Sequence, residues 1–203
     1  MRWQMKWGSA HMSYTNTESE WGTIAKTLHW LIGVMIVLQL IMGWLFTLRV
    51  FPGPVQSQLV LNFHIPVGVT VLGLGLIRLL WRFANVRPPL PSNMTWWEHL
   101  LANGSHTYLY MAMIAMPLTG WIATSGFGGP VTWIGGIGLP ALVATEAKET
   151  GRPLTNLFSQ MHYWVAVGLT LVFVAHVAGA LRHHFVLKDA TLALMLPKGW
   201  VRR

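Results

Sequence analysis

Nine histidines stand in a chain that holds no cysteine, and four of them fall inside or at the edges of long apolar runs in a pattern that pairs. His29 lies near the start of the first run and His64 near the start of the second; the fourth run carries His162 near its start and His176 fourteen residues later. Fourteen residues are two heptads, so on a helix both rings leave one face, about 21 Å apart along the axis. Ionisable side chains inside apolar spans are costly enough to mark function, and imidazole is a ligand for transition metals. Consecutive spans run in opposite directions, which brings His64 and His162 to one depth and His29 and His176 to the other. Two facing imidazoles at each of two levels suit irons whose axial positions are both filled, as in haems with bis-histidine ligation. Such irons have no open site for oxygen or substrate, which favours electron transfer over chemistry at the metal. Without cysteine there is no C-x-x-C-H attachment and no thiolate site, so the expectation is two b-type haems held non-covalently.

Each of these residues also has a plainer reading. A lone membrane histidine is more often a hydrogen-bond partner between helices than a ligand; four at two matched depths reverse that preference. His183 is seven residues beyond His176, in the same heptad phase, and is the rival inner ligand, although Arg182 and His184 set it among headgroups. His106 opens the third run at the inner depth, within reach of a haem propionate or a quinone; an interfacial histidine bonded to lipid or water reads equally well. Arg78 and Arg82 close the second run, where they are placed to neutralise propionates, and topology signals account for them too. Met113 and Met116 read as apolar filler before ligands, and Pro117 as a kink. Gly33, Gly43, Gly68, Gly73, Gly75, Gly120 and Gly168 thin the helix faces, either to admit a flat macrocycle or to let helices pack closely. Trp21, Trp30, Trp44, Trp81, Trp96, Trp97, Trp121 and Trp133 lie near span ends, as in an aromatic belt.

The elements that must position these rings follow from composition. Of 203 residues, 53% are hydrophobic and only 10% charged, against roughly 25% charged in soluble domains. Apolar runs at 28–46, 61–80, 108–125 and 161–181 each approach the ~20 residues that cross a hydrocarbon core as a helix. The expectation is an all-α, integral membrane four-helix bundle. Residues 1–20 read as a flexible tail, 21–197 as the dihaem four-helix transmembrane domain and 198–203 as a basic tail. With the N-terminus inside, Arg2, Lys6, Lys26, Arg78, Arg82, Arg87, Arg182, Lys188, Lys198, Arg202 and Arg203 fall on the inner side, and Arg49, Lys148 and Arg152 on the outer. Eleven against three puts both termini in the cytoplasm, and explains the net charge of +8 without a nucleic-acid partner. The connections are expected at 47–59, 82–105 and 126–159; the last is long enough to serve as a lid or binding surface.

Particular stretches then resemble a known family. Leu28-His29-Trp30, Asn62-Phe63-His64, Ile77-Arg78-Leu79-Leu80-Trp81-Arg82-Phe83, Ala115-Met116-Pro117-Leu118-Thr119-Gly120 and His162 through His176 to Phe185 look like the bacterial cytochrome b561 family. That family is related to the cytochrome b subunits of nickel-iron hydrogenases and formate dehydrogenases. The resemblance covers about residues 20–197, including Lys188-Asp189-Ala190-Thr191-Leu192. It implies a bacterial plasma-membrane (inner-membrane) protein with two b haems, whose axial ligands match His29, His64, His162 and His176. The compact length is most similar to stand-alone members, one of which is a superoxide oxidase that passes electrons to ubiquinone. Three functions are therefore open: electron transfer between an external donor and the quinone pool, superoxide oxidation steered by Arg49, Lys148 or Arg152, and a membrane anchor for a larger dehydrogenase.

Overall fold

The computed structural model describes residues 13–90 and 94–196. Most of the N-terminal tail with Arg2, Lys6 and His11, and the whole basic tail with Lys198, Arg202 and Arg203, lie outside the described residues. Four long helices follow one another, α1 (Thr23–Thr47), α2 (Gly53–Ala84), α3 (Trp96–Gly126) and α4 (Pro153–Leu187), before a short α5 (Thr191–Met195). By length and composition α1, α2 and α4 qualify as membrane-crossing helices. The 31 residues of α3 are long enough, roughly 46 Å at 1.5 Å per residue, but its first third is polar, with Glu98, His99, Asn103 and His106.

Every helix is longer than its apolar run. The second begins at Gly53 where hydropathy placed a connection to residue 59, and His106 lies ten residues inside α3 instead of at its start. Caps, not hydropathy, set these ends. Thr95 and Glu98 form a capping box at α3, Thr95 N donating to Glu98 Oε2 at 2.8 Å. The Thr95 backbone bond, and after it the hydrogen bond from Arg182 on α4 at 2.6 Å, hold the Glu98 carboxyl at about 2. At α4, Pro153 takes the first helical position, which needs no N–H. Glu146 accepts there from Thr155 Oγ1 at 2.6 Å, Thr155 N at 2.7 Å and Leu154 N at 3.3 Å, and these Thr155 bonds draw its pKa down.

The bundle is apolar on the outside. On α1, Leu31, Val34, Leu38 and Ile41 are exposed, and Ile32 and Ile36 are buried, the arrangement of a helix whose solvent is hydrocarbon. The small core of Ile32, Ile36, Val71, Ala112, Met113 and Leu169 sits midway between the histidine levels. Ile36, Val71 and Leu169 each follow a histidine (His29, His64 and His162) by seven residues, so they leave the same helix faces two turns further on. Neighbours in sequence pack together, α1 on α2, α2 on α3 and, most extensively, α3 on α4. Helices α1 and α4 face each other across a gap spanned by Trp44, whose Nε1 donates to Thr170 Oγ1 at 3.1 Å.

Between α3 and α4 the chain turns back as a hairpin, Val131–Thr132 pairing antiparallel with Gly138–Leu139. Gly135 and Gly136 make its turn with φ of 77° and 78°, the left-handed region that glycine enters without strain.

Candidate functional site

The structure brings the four span histidines together as two pairs. His64 from α2 and His162 from α4 have ring centroids 6.1 Å apart with planes at 73°. They line a cavity of about 390 Å³ whose walls include Gly43 and Trp44 of α1, Gly68 of α2 and Met116 and Gly120 of α3, within the ~300–1,000 Å³ of ordinary cofactor sites. His162 Nδ1 donates to the Met116 carbonyl at 3.0 Å, with Thr119 Oγ1 at 3.2 Å. Thr119 itself donates to the carbonyls of Ala115 and Met116. Because a carbonyl only accepts, the ring proton must sit on Nδ1, which leaves the Nε2 lone pair available to a metal. His64 lies in a π-helical turn, Val60–His64, just ahead of Pro66. Proline offers no N–H to the carbonyl four residues back, and a π turn is one way a helix absorbs the mismatch, often at functional sites. Gln39 Nε2 holds the His64 carbonyl at 2.8 Å, and His64 Nδ1 is buried without a hydrogen-bond partner.

The second pair is His29 from α1 and His176 from α4, 6.2 Å between centroids with planes at 69°. A metal–imidazole bond of roughly 2 Å, and about 1.1 Å from ring nitrogen to ring centre, put two axial imidazoles about 6 Å apart. Both pairs have that spacing. Among the described residues no group of three or more His, Cys, Asp or Glu suits a bare metal ion, so the donor sets fit a metal whose remaining ligands come from a macrocycle.

Around His29 and His176 the chemistry is basic. His106 stands 5.2 Å from His176, closer than two axial ligands of one metal. Arg78 donates from Nη2 to His29 Nδ1 at 3.0 Å and from Nε to Tyr110 Oη at 3.2 Å, and Arg82 lies 5.0 Å over the Tyr110 ring. His183, the rival inner ligand, is held through Nδ1 by Asp189 Oδ2 at 2.5 Å, and among the described residues it faces no second imidazole as His29, His106 and His176 do. Burial acts to raise the Asp189 pKa, yet the hydrogen bonds from Thr191 and His183 outweigh it and the net shift is downward.

Several contributors were not singled out from sequence. Thr119 and the Met116 carbonyl orient His162, Gln39 supports His64, and Tyr110 spreads the two arginines. Met116 and Thr119 left a trace, in the Ala115-Met116-Pro117-Leu118-Thr119-Gly120 run; Gln39 and Tyr110 depend on which helices meet. Met113 and Met116 serve as core and wall, as expected. Two belt tryptophans behave differently, since Trp44 reaches Thr170 and Trp133 Nε1 reaches Thr70 Oγ1 at 2.9 Å. A buried indole N–H usually finds such a partner, and Trp81 Nε1, buried without one, is the exception among the described residues. The glycines divide: an added Cβ would meet Gln39 at Gly68, Met113 at Gly75, His162 at Gly120 and the Tyr108 hydroxyl at Gly168, whereas Gly33, Gly43 and Gly73 face open space.

The sequence is similar to those of known proteins over most of its length. The family described as prokaryotic cytochrome b561 matches residues 20–198. Cytochrome b561 homolog 2 of Escherichia coli (strain K12) is 31% identical over 189 residues, 92% of this chain and 96% of the other. Probable superoxide oxidase CybB of Yersinia pestis is 29% identical over 172 residues, covering 84% and 92%. Cytochrome b561 homolog 1 of Escherichia coli (strain K12) is 27% identical over 180 residues, covering 84% and 93%. With two facing histidine pairs in an apolar helical bundle and a match over nearly its whole length, the chain belongs to the prokaryotic cytochrome b561 family, membrane cytochromes that bind b-type haem.

Proposed function

We propose that the chain is a dihaem cytochrome of the bacterial inner membrane that carries electrons between a donor at the outer face and the quinone pool. The observation behind this reading is the repeated ring separation, 6.1 Å and 6.2 Å, at two sites two heptads apart on α4. His64 and His162 would hold the outer haem, and His29 and His176 the inner one, the two ligand levels being about 21 Å apart along α4. When bound, the haems supply reversible one-electron chemistry at saturated irons.

The protein's own groups position and balance charge. His162 is fixed in the ligating tautomer by Met116 and Thr119. Arg78 can only donate, so in the arrangement described His29 accepts at Nδ1 and carries its proton on Nε2. Were His29 to hold the iron through Nε2, its proton would sit on Nδ1 and Arg78 would be released, so that its guanidinium, with Arg82 and His106, would be available to propionate carboxylates or to a quinone headgroup. Helix α3 is the fourth span, and both termini are cytoplasmic, as the distribution of eleven inner and three outer basic residues favours.

Two measurements test this reading. Pyridine haemochrome absorbance per mole of protein is expected to report two extractable haems; a ratio near one removes a pair. A reporter fused after Arg203 is expected to read as cytoplasmic and one inserted near Gly151 as external, and the opposite pattern reverses the inner and outer labels.

A second reading is superoxide oxidation with reduction of ubiquinone. It is favoured by the relative named as a probable superoxide oxidase and by Arg49, Lys148 and Arg152 on the connections beside the His64/His162 level. Arg152 is held there by its Nε bond to the Glu146 carbonyl at 3.1 Å and lies 5.3 Å over the Phe127 ring. Mixing purified protein with superoxide and a quinone in stopped flow separates the readings: rapid quinone reduction favours the enzyme. Stoichiometric copurification with a large dehydrogenase subunit would favour an anchor instead.

A further inference from the structure

We propose that the segment after α3 is a re-entrant hairpin that enters from the His64/His162 side: the turn at residues 133–137 lies among the acyl chains, pressed against α2, and its partner is lipid. The first observation is depth. Gln39 bonds the His64 carbonyl, so the two share a level, and Gln39 is eight residues short of Thr47 at the end of α1, about 12 Å. Thr70 lies six residues further along α2, about 9 Å more, and Trp133 Nε1 donates to its hydroxyl at 2.9 Å. Thr70 has already given its own proton to the Pro66 carbonyl at 2.8 Å, so it accepts from the indole. A turn tied to that point is inside a ~30 Å hydrocarbon core, not above it.

Chemistry agrees with depth. From Gly126 to Thr145 there is no charged residue; the charges of this connection are confined to Glu146, Lys148, Glu149 and Arg152. Ile134 and Ile137 are 59% and 54% exposed beside Trp133 at 40%, a cluster that water would penalise and acyl chains would not. Non-helical backbone at membrane depth is tolerated where protein or a water-filled cavity lies against it and its polar groups find partners. Here Trp133 N donates to Ile137 O at 2.7 Å and Gly136 N to Trp133 O at 3.1 Å, alongside the strand pairing. The far end is tied by Trp121 Nε1 on the Pro140 carbonyl at 3.0 Å. Behind the turn, Val131 is 5% exposed and forms part of the cavity wall at His64 and His162. The hairpin thus closes that cavity on the α2/α3 side, with protein on one face and lipid on the other.

Because the chain has no cysteine, single cysteines report unambiguously. Ile134→Cys, Ile137→Cys and, on the charged half, Glu149→Cys are nitroxide-labelled in the full chain in lipid nanodiscs. Collision with oxygen and with a water-soluble nickel chelate is then measured by EPR power saturation. Labels at 134 and 137 are expected to favour oxygen over nickel by several-fold, and the label at 149 the reverse. Adding Trp133→Phe, which removes the N–H donor to Thr70, is expected to raise nickel access at 134. Nickel access at 134 and 137 equal to that at 149 overturns the proposal, and an unchanged response to Trp133→Phe overturns the tie to Thr70. Both outcomes are independent of haem content, so a protein with two haems and a nickel-exposed turn would sink this inference alone.

Discussion

His29→Ala and His176→Ala are expected to delete the same component of the reduced-minus-oxidised spectrum, and His64→Ala and His162→Ala the other, each variant falling from two haems per chain to about one. Removing one imidazole of a facing pair leaves the iron with a single protein bond, so retention of that haem fails. The second site, about 21 Å away along α4, keeps both of its rings. Helix α4 serves both sites, so thermal melting and yield must match the unsubstituted protein before the spectra are compared. His183→Ala supplies the decisive contrast, since it shares its helix face with His176. The structure joins the His183 ring to Asp189 at 2.5 Å, so its loss should loosen the end of α4 and leave both haem components in place. If His183→Ala removes the inner component and His176→Ala does not, the inner ligand is misassigned. If His29→Ala removes the component lost in His162→Ala, pairing by depth fails altogether.

That pairing was legible in the sequence because it rests on two quantities a linear chain carries: the depth of a residue within its apolar run, and the heptad phase of His162 and His176. The ring separations agree with it. Helix ends were less legible, because hydropathy marks the oily part of a helix and not its caps. Glu146, far from the fourth run in hydropathy terms, supplies the acceptor for the N–H groups of Leu154 and Thr155. The groups that orient the histidines were hidden for another reason. Met116 offers a main-chain carbonyl, which any residue type possesses, and Gln39 acts across a helix pair whose packing no local pattern encodes. The connection 126–159 reads from its length as a lid or a binding surface. The lack of charge from Gly126 to Thr145 is present in the sequence, but the Trp133–Thr70 bond depends on packing that no local pattern encodes.

Gly120→Leu is expected to cost the outer haem as completely as loss of a ligand, without replacing a ligand. A Cβ at Gly120 would stand 3.1 Å from His162 Cε1 and 3.2 Å from Nδ1, tighter than ordinary van der Waals contact. The ring cannot simply retreat, because Nδ1 is held by the Met116 carbonyl at 3.0 Å and its position sets the 6.1 Å separation from His64. Overpacking of this kind costs about 1–3 kcal/mol, which corresponds to roughly tenfold or more in haem affinity if the strain falls on the bound state. Gly120→Ala should therefore retain two haems at saturating haem but release the outer one faster and shift its midpoint potential. The bulk of leucine, by contrast, should displace the ring and lower the ratio to about one. Gly73→Ala is the matched control, since a Cβ there meets nothing within 4 Å, and both components should remain unchanged. Haem release into excess apomyoglobin, followed at the Soret band of each component, reads the difference directly. Should Gly120→Leu keep two haems with unaltered release rates, His162 does not hold the outer iron from the position described, and the case for a ligand oriented by Met116 and Thr119 falls with it.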